Sequence, residues 1–248
     1  MELWGATSTD AEAFRLLPGR GLEQAKDLLG EDFAGILHRD RWKPYEKLIG
    51  ATHQLCHSHI RRDFQSMLES MGETGTQGCM LKLASDRAFH LWHQFERDEI
   101  DRNELIRQMQ PIQAEIKQRL ETLRDGRDTT KKARGTAKDL LRQWGNLWAY
   151  VYRDGAVPTN NEAERSIRKA VLWQRFHLRA FGAGVWPSGP YDRWKVSLGV
   201  DSEDGARFVE RMLTLAGTAR RRGINLLDWL TLALQAKLRE QPAPAFRG

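Results

Sequence analysis

A long block of helical periodicity fills the middle of the chain and restricts its fold more than any other pattern. Between Met80 and Tyr152, apolar residues recur every three or four positions. They form two stripes: Leu81, Leu83, Ala88, Leu91 and Phe95, then Leu105, Met109, Ile112, Ile116 and Leu120. Such spacing places apolar side chains on one helix face. The pattern predicts an all-α block that contains a mobile polar connection at 125–135 and a further helix over Ala137–Tyr152.

The residues before this block predict mixed α/β structure. The predicted elements are a hairpin of Leu3–Thr7 and Ala13–Leu17, a helix over Leu22–Leu29, a buried strand over Phe33–Leu37, a strand over Ala51–Leu55 and a helix after Cys56. After the block, Gly155 and Pro158 force a turn, and another helix begins near Asn160 or Asn161. Two closing helices are predicted at Phe208–Thr218 and Leu226–Leu238, followed by a frayed, Pro-rich tail.

The charge balance suits a polyanionic partner such as nucleic acid. The 39 Lys and Arg residues exceed the 33 Asp and Glu residues, which gives a formal charge of +6. Many basic proteins never bind nucleic acid, so this balance is only suggestive. Two cysteines are too few for a disulfide framework, the N-terminus lacks a signal-peptide pattern, and no stretch approaches a membrane span. These observations predict a cytoplasmic protein.

Asp40 is the first candidate for chemistry. It follows the predicted strand, and the carboxyl ends of strands are where open α/β folds usually place their sites. Asp is also common in turns, and the segment from His38 to Pro44 allows that interpretation.

The second candidate is the run Asn160–Lys169. Thr159 with Glu162, and Asn161 with Glu164, have the spacing of a capping box, which a purely structural helix start would explain. The mixture of Asn, acidic and basic residues in one short helix is also suited to metal on one side and phosphate on the other.

The third candidate is the segment from His53 to Arg62. His53, Cys56 and His59 have spacings that permit zinc ligation, although three ligands without a distant pair are a weak signal. Arg61 and Arg62 either face a nucleic acid or are simply solvated. Cys56 is a poor candidate for a nucleophile, because nothing in the sequence identifies its base.

Taken in order, these segments resemble the IS66 family of bacterial insertion-sequence transposases. The family pattern has a strand ending in Asp with a Tyr shortly after, a His-Gln-x-Cys-x-x-His-x-x-Arg stretch, a helical insertion, an Asn-Asn-x-x-Glu-Arg-x-x-Arg helix and a Phe-Val-Glu-Arg segment. The corresponding parts here are Asp40 with Tyr45, His53–Arg62, the helices of 80–152, Asn160–Arg168 and Phe208–Arg211.

The resemblance implies an α/β fold with an RNase H-like catalytic core, a large all-α insertion and C-terminal helices. In such a core three carboxylates hold divalent ions, Mg²⁺ or Mn²⁺, for phosphodiester hydrolysis and strand transfer. By this resemblance Asp40 is the second carboxylate and Glu164 is the third. The predicted DNA contacts are Arg61, Arg62, Asn161, Arg165, Arg168 and Lys169.

The expected division of the chain is a core part at 1–79, the helical insertion at 80–153, the last catalytic helix with the C-terminal helices at 154–240, and a tail at 241–248. The family's first Asp lies on a strand expected to precede this chain, and Asp10, in the hairpin turn, is a poor substitute. An incomplete, inactive polypeptide is therefore expected. Residues 174–193 resemble an insertion, either a native loop or the scar of a damaged gene.

The predicted partners are transposon and target DNA, further copies of the chain and small accessory proteins of the same element. The expected location is the cytoplasm, in association with the nucleoid. One alternative is a non-catalytic DNA-binding or regulatory remnant of a transposase. Another is a helical adaptor that does not bind DNA.

Overall fold

The structure, a computed structural model, describes residues 2–180 and 202–246, and for 171–180 only the backbone. The described chain is mixed α/β and mostly helical. It divides into two compact units: unit 1 comprises Met1–Phe33 and Asn161–Gly248, and unit 2 comprises Ala34–Asn160. In chain order, the described elements are β1 Glu2–Thr7, β2 Glu12–Leu17, α1 Leu22–Leu29, β3 Ile36–Arg39, a 3₁₀ helix Lys43–Lys47, β4 Thr52–Leu55, α2 His57–Leu68, α3 Gly72–Glu96, α4 Arg102–Asp125, α5 Lys131–Arg142, α6 Trp144–Leu147, α7 Ala149–Tyr152, α8 Asn161–Ala180, α9 Glu203–Arg221 and α10 Leu226–Leu238.

Unit 1 contains the predicted hairpin. β1 and β2 pair in antiparallel fashion, and Ser8 N donates to Ala11 O at 2.8 Å across the turn that holds Asp10. Phe14 of β2 packs with Ala170 of α8 and Leu213 of α9. The hairpin therefore buries one face against two helices that come from the far end of the chain.

Side chains of α9 satisfy backbone N–H groups of β2. Alternate residues of the strand donate to side chains spaced one helical turn apart: Glu12 to Thr218 Oγ1 at 3.2 Å, Phe14 to Thr214 Oγ1 at 3.0 Å and Leu16 to Glu210 Oε1 at 2.5 Å. An uncovered strand edge is a site for unwanted pairing with other chains. The ladder from α9 removes that exposure and fixes the register of helix against strand.

Unit 2 places a two-stranded parallel sheet beside helices. β3 pairs with β4, with Ile36 opposite Thr52 and Arg39 opposite Leu55. The strand predicted at Phe33–Leu37 instead begins at Ile36 and ends at Arg39. The strand is predicted to bury apolar side chains, but Ile36, Leu37 and His38 are only half-buried and the one fully buried side chain is that of Arg39. The prediction followed hydrophobicity, whereas Arg39 is buried because its polar atoms all find partners.

The helices of unit 2 build its main core. All five residues of the stripe from Leu105 to Leu120 are buried in α4, as predicted. In the first stripe Leu83 is 54% exposed, so its assignment was wrong. It lies two positions after the buried Leu81, which is almost the opposite side of a helix.

α2 and α3 approach each other closely at Gly78. A Cβ built there would lie 2.6 Å from the Met67 carbonyl carbon and 2.7 Å from Met67 Cβ. Only a glycine permits this contact without a shift of the backbone. α3 begins at Gly72, eight residues before the predicted start of the helical block.

Two connections differ from the predicted ones. The polar segment 125–135 is not one mobile connection, because α5 begins at Lys131 with Thr130 as its cap and Ala133 buried. The helix predicted over Ala137–Tyr152 is divided into α5, α6 and α7. Trp148, between the last two, is fully buried, so tertiary packing overrides a continuous helix here.

The C-terminal tail is held on unit 1 rather than frayed as far as residue 246. Phe246 packs edge-on against Trp229, with ring centroids 4.8 Å apart. Arg222 Nη1 donates to Phe246 O at 2.9 Å, and Trp229 Nε1 donates to Pro244 O at 3.2 Å. In the part of the chain that the structure describes, no helix combines the length and apolar character needed to cross a bilayer.

Candidate active site

Asp40 lies directly after the last residue of β3, as the sequence predicts. Its Oδ1 accepts a hydrogen bond from Trp42 N at 2.9 Å, which is the turn geometry that Asp favours. The two interpretations of this residue are therefore compatible, since Asp40 ends the strand and also starts the turn. The side chain is half-buried at the sheet edge.

A buried arginine fixes the backbone behind Asp40. Arg39 Nη1 donates to Asp40 O at 3.0 Å, Nε donates to His53 Nδ1 at 2.8 Å, and Nη2 donates to Gln143 Oε1 at 2.9 Å. Burial lowers the pKa of Arg39, and the carboxylates of Glu46 and Asp40 partly oppose this shift. Three partners from three segments thus hold the strand end that carries Asp40. No local sequence pattern indicates this network.

His53 is not available as a zinc ligand. Its Nδ1 accepts from Arg39, and its Nε2 lies 3.0 Å from Leu48 O, so Nε2 carries the proton of a neutral ring. Burial, followed by the nearby Arg39 charge, lowers the pKa of His53. The three-ligand zinc interpretation of His53, Cys56 and His59 fails on this residue. Cys56 is buried, and its Sγ accepts from Asn160 N at 3.5 Å.

Two more residues of this segment join β4 to the helices of unit 2. Gln54 is fully buried; its Nε2 donates to Leu55 O and Leu147 O at 2.7 and 3.0 Å, and its Oε1 accepts from Tyr150 N at 2.8 Å. His57 Nε2 lies 2.7 Å from the same Leu147 O. Both side chains therefore serve the fold.

The two predicted DNA contacts on α2 differ in their surroundings. Arg61 pairs with Asp86 of α3 and lies 4.9 Å from the centre of the Phe89 ring. Its charge is largely directed at α3. Arg62 is exposed, and its Nε makes a 3.4 Å hydrogen bond to Ser58 O. The geometry thus favours Arg62 over Arg61 as a contact for a phosphate.

Glu164 lies in the first turn of α8, together with Glu162. The partial positive charge of a helix N-terminus favours carboxylates at this position. Glu162 Oε1 accepts from Arg221 Nη1 at 2.7 Å, so one of the two acids is drawn to α9. Glu164 is half-buried, as is Asn161 at the start of the helix.

The basic residues of α8 face solvent. Arg165, Arg168 and Lys169 are exposed, whereas Ser166 and Ala170 on the other side of the helix are buried. None of the three cations forms an ion pair with another residue that the structure describes. This is the arrangement expected of side chains that contact an external anion.

A buried carboxylate on β2 holds α8 in place. Glu12 Oε1 accepts from Ser166 Oγ at 2.8 Å and from Arg221 Nε at 3.0 Å. Arg221 also donates a hydrogen bond to Glu162. A chain of charged groups therefore links β2, α9 and the first turn of α8. Sequence reasoning missed Glu12, because its alternation with apolar residues marks it only as a strand position.

The predicted site residues thus occupy both units. Asp40, Arg61 and Arg62 belong to unit 2, and Asn161, Glu164, Arg165, Arg168 and Lys169 belong to unit 1. Of the proposed insertion at 174–193, residues 174–180 continue the backbone of α8, and 181–193 lie outside the described residues.

The model of one protein family, described as the transposase IS66 family, matches residues 2–182. The chain belongs to the IS66 transposase family. The matched range contains Asp40, Glu164 and every predicted DNA contact. Membership of the IS66 family implies a role in DNA transposition and the binding of DNA, and DDE transposases generally use a divalent metal. No curated protein and no solved structure gives a significant match to this IS66 chain.

Proposed function

We propose that this chain carries the catalytic residues of a DDE-type transposase, with Asp40 and Glu164 as ligands of Mg²⁺ or Mn²⁺ in an RNase H-like core. The reaction class is phosphodiester hydrolysis and strand transfer. The observation that carries this proposal is the IS66 family match, whose range includes both carboxylates. A bound divalent ion would supply activation of the attacking oxygen and stabilisation of the leaving oxygen.

The surroundings of the two acids fit this role chemically. Carboxylate oxygens are the hard donors that Mg²⁺ and Mn²⁺ prefer. Asp40 follows a strand end that Arg39 braces through a hydrogen bond to its carbonyl. Glu164 is positioned by α8, which Glu12 and Arg221 anchor through Ser166 and Glu162. Rigid support of this kind is what a ligand needs to hold its geometry.

In the same proposal, Arg165, Arg168 and Lys169 hold the phosphate backbone of DNA, with Asn161 and Arg62 as further contacts. Arginine and lysine bind phosphate without choosing a base sequence. These exposed cations of α8 therefore position DNA beside Glu164, and they do not select a particular base sequence. Self-association, accessory proteins and association with the nucleoid stay predictions.

The decisive experiment is nicking of supercoiled DNA in the presence of Mg²⁺ or Mn²⁺. Asp40→Asn and Glu164→Gln remove one negative charge each and keep the side-chain size, so each should abolish any nicking that the parent chain shows. Glu31→Gln is the matched control, because Glu31 is exposed and has no predicted role. Its nicking rate should equal that of the parent.

The outcomes separate the proposal from its alternative. Activity that survives both Asp40→Asn and Glu164→Gln would refute the ligand assignment. A parent chain that binds DNA but never nicks it would favour a non-catalytic, regulatory remnant of a transposase. A parent chain that neither binds nor nicks DNA would leave only the helical adaptor.

The DNA contacts are tested by the dependence of affinity on salt. The combined substitutions Arg165→Gln, Arg168→Gln and Lys169→Gln remove three positive charges. They should make the plot of the logarithm of the DNA association constant against the logarithm of salt concentration less steep by about 2–3, since each phosphate contact contributes about 0.9. An unchanged slope would contradict the role of these residues.

A further inference from the structure

The net charge of unit 2 is concentrated in one segment. Across residues 34–160 the sequence has 21 Lys and Arg and 17 Asp and Glu, a net charge of +4. Residues 124–138 alone contain six of these cations and two of the acids, which also gives +4. The rest of unit 2 therefore has 15 residues of each sign and is neutral. This segment is the end of α4, the turn after it and most of α5.

The cations of α5 form a stripe on its exposed face. Lys131, Arg134 and Lys138 are all exposed and follow the spacing of residues that share one side of a helix. On the opposite side Ala133 and Ala137 are buried in the core. At 1.5 Å per residue the stripe extends over roughly 10 Å, about three base-pair steps of a duplex.

The turn that carries these charges is internally hydrogen-bonded. Thr129 is buried, and its hydroxyl is a donor to the carbonyl oxygens of Leu123 and Gly126, each 2.9 Å from Oγ1. Arg134 Nη2 donates to Gly126 O and to Thr129 O, both at 3.1 Å. Thr130 Oγ1 caps α5 by accepting from Ala133 N at 3.2 Å. A preorganised turn loses less conformational entropy when it binds than a mobile loop would.

Most of the positive charge on this segment is not neutralised. Arg127, Lys131 and Lys138 form no ion pair with another residue that the structure describes. Lys132 donates to the neutral Ser66 Oγ at 3.2 Å, and only Arg124 pairs with a carboxylate, that of Asp125. By contrast, three arginines of α3 and α4, Arg87, Arg107 and Arg119, pair with glutamates.

We infer that this α4–α5 basic surface, formed by Arg127, Lys131, Lys132, Arg134 and Lys138, is a second contact for the phosphate backbone of duplex DNA. The inference rests on the proposed function, which supplies DNA as the partner. Residues 124–138 contain no aromatic residue on which an unpaired base could stack, and no Asn or Gln to read a base edge. Contact with the backbone of a duplex, independent of sequence, is what remains.

The test uses the whole chain and a fluorescent 30-base-pair duplex of arbitrary sequence. Lys131→Gln, Lys132→Gln and Lys138→Gln are combined in one variant, and its affinity is measured between about 50 and 300 mM salt. Loss of three phosphate contacts should reduce the salt slope by about 2–3 and weaken binding roughly 10- to 100-fold at low salt. The corresponding Lys→Arg variant keeps the charge and should bind like the parent.

A control variant separates the position of the charges from their number. Lys117→Gln, Arg153→Gln and Lys237→Gln remove the same net charge from exposed positions outside the surface. This control should change affinity by less than about threefold. Equal weakening in the control and in the α5 variant would overturn the inference, because it would reflect only the total charge.

Comparison with α8 separates this inference from the proposed function. If neutralising Arg165, Arg168 and Lys169 weakens binding but the α5 variant binds like the parent, the α4–α5 basic surface is not a DNA contact, although the proposed function survives. If the parent binds no DNA, both fail. A single-stranded oligonucleotide and a duplex RNA complete the series, and preference for either over duplex DNA would overturn the assignment of the partner.

Discussion

His57 makes the stability of unit 2 depend on pH between about 4 and 7. Its imidazole is buried against Trp148, Tyr150 and Phe89, with ring centroids 5.2 to 6.1 Å away. Burial lowers its pKa to about 4, because the cation loses its hydration in this site, and the hydrogen bond to the Leu147 carbonyl only partly opposes the shift. The folded protein therefore keeps this ring neutral.

The size of the effect follows from the difference between the folded and unfolded pKa values. In the unfolded chain the group titrates near its ordinary value of about 6.5. Below that pH the unfolded state binds a proton at His57 that the folded state does not bind. The contribution of His57 to the free energy of unfolding is therefore present at neutral pH and is lost as the pH falls toward 4. Between pH 7 and pH 5 the loss is about 2 kcal/mol of unfolding free energy.

The assay is urea denaturation of the parent and of His57→Gln at pH 7, 6 and 5. The glutamine amide keeps an N–H donor for Leu147 O but does not titrate. The parent should lose about 2 kcal/mol more than the variant between pH 7 and pH 5. His38 and His53, whose pKa values burial also lowers, are present in both proteins, so their contributions cancel in the comparison.

Two results would refute this reasoning. One is an equal pH dependence for the parent and His57→Gln, within about 0.5 kcal/mol. The other is an NMR titration of the His57 ring in the folded protein with a midpoint near 6.5. Either would mean that the site around Trp148 and Tyr150 admits enough water to hydrate the cation.

Two substitutions test polar and steric packing in the two units. Gln54→Leu keeps the side-chain size but leaves the Tyr150 N–H without its acceptor. The free energy of unfolding, measured by urea titration, should therefore fall by about 2–4 kcal/mol. A loss below about 1 kcal/mol would contradict the role of the amide. Gly217→Ala would put a methyl carbon 2.8 Å from Glu12 Cβ and should cost about 1–3 kcal/mol, seen as a lower Tm. Its control is Gly135→Ala, at a helical position with nothing within 4 Å, which should gain about 0.5–1 kcal/mol; equal effects of the two would contradict the steric argument.

The sequence predicted elements best where periodicity was long and the environment uniform. The stripe from Leu105 to Leu120 gave a helix whose apolar face is buried throughout, because a regular spacing on one face leaves little choice of orientation. The hairpin of β1 and β2 was also predicted, since a polar turn separates two short runs rich in apolar residues. In these segments local preference and tertiary packing agree.

Prediction failed where a polar side chain is buried. Hydrophobicity located β3 three residues too early, because Arg39, a residue that usually faces water, is the buried end of the strand. The charge of segment 125–135 predicts a mobile connection, yet Thr129 and Arg134 hold it in place through hydrogen bonds to backbone carbonyls. Such burial depends on partners distant in the sequence, and no local pattern contains them.

Internal hydrogen bonding divides the motif residues of this IS66 chain into two groups. Gln54, His57 and Glu210 direct their polar atoms at backbone groups of the protein itself. Gln54 bonds to two carbonyls and an N–H, His57 to one carbonyl, and Glu210 to the N–H of Leu16. Their bonding capacity is used in building unit 2 and the edge of β2. Arg165 and Arg168 instead direct their charges at solvent. A motif match by itself does not distinguish these groups, so the assignment of individual DNA contacts rests on the second group and not on the motif as a whole.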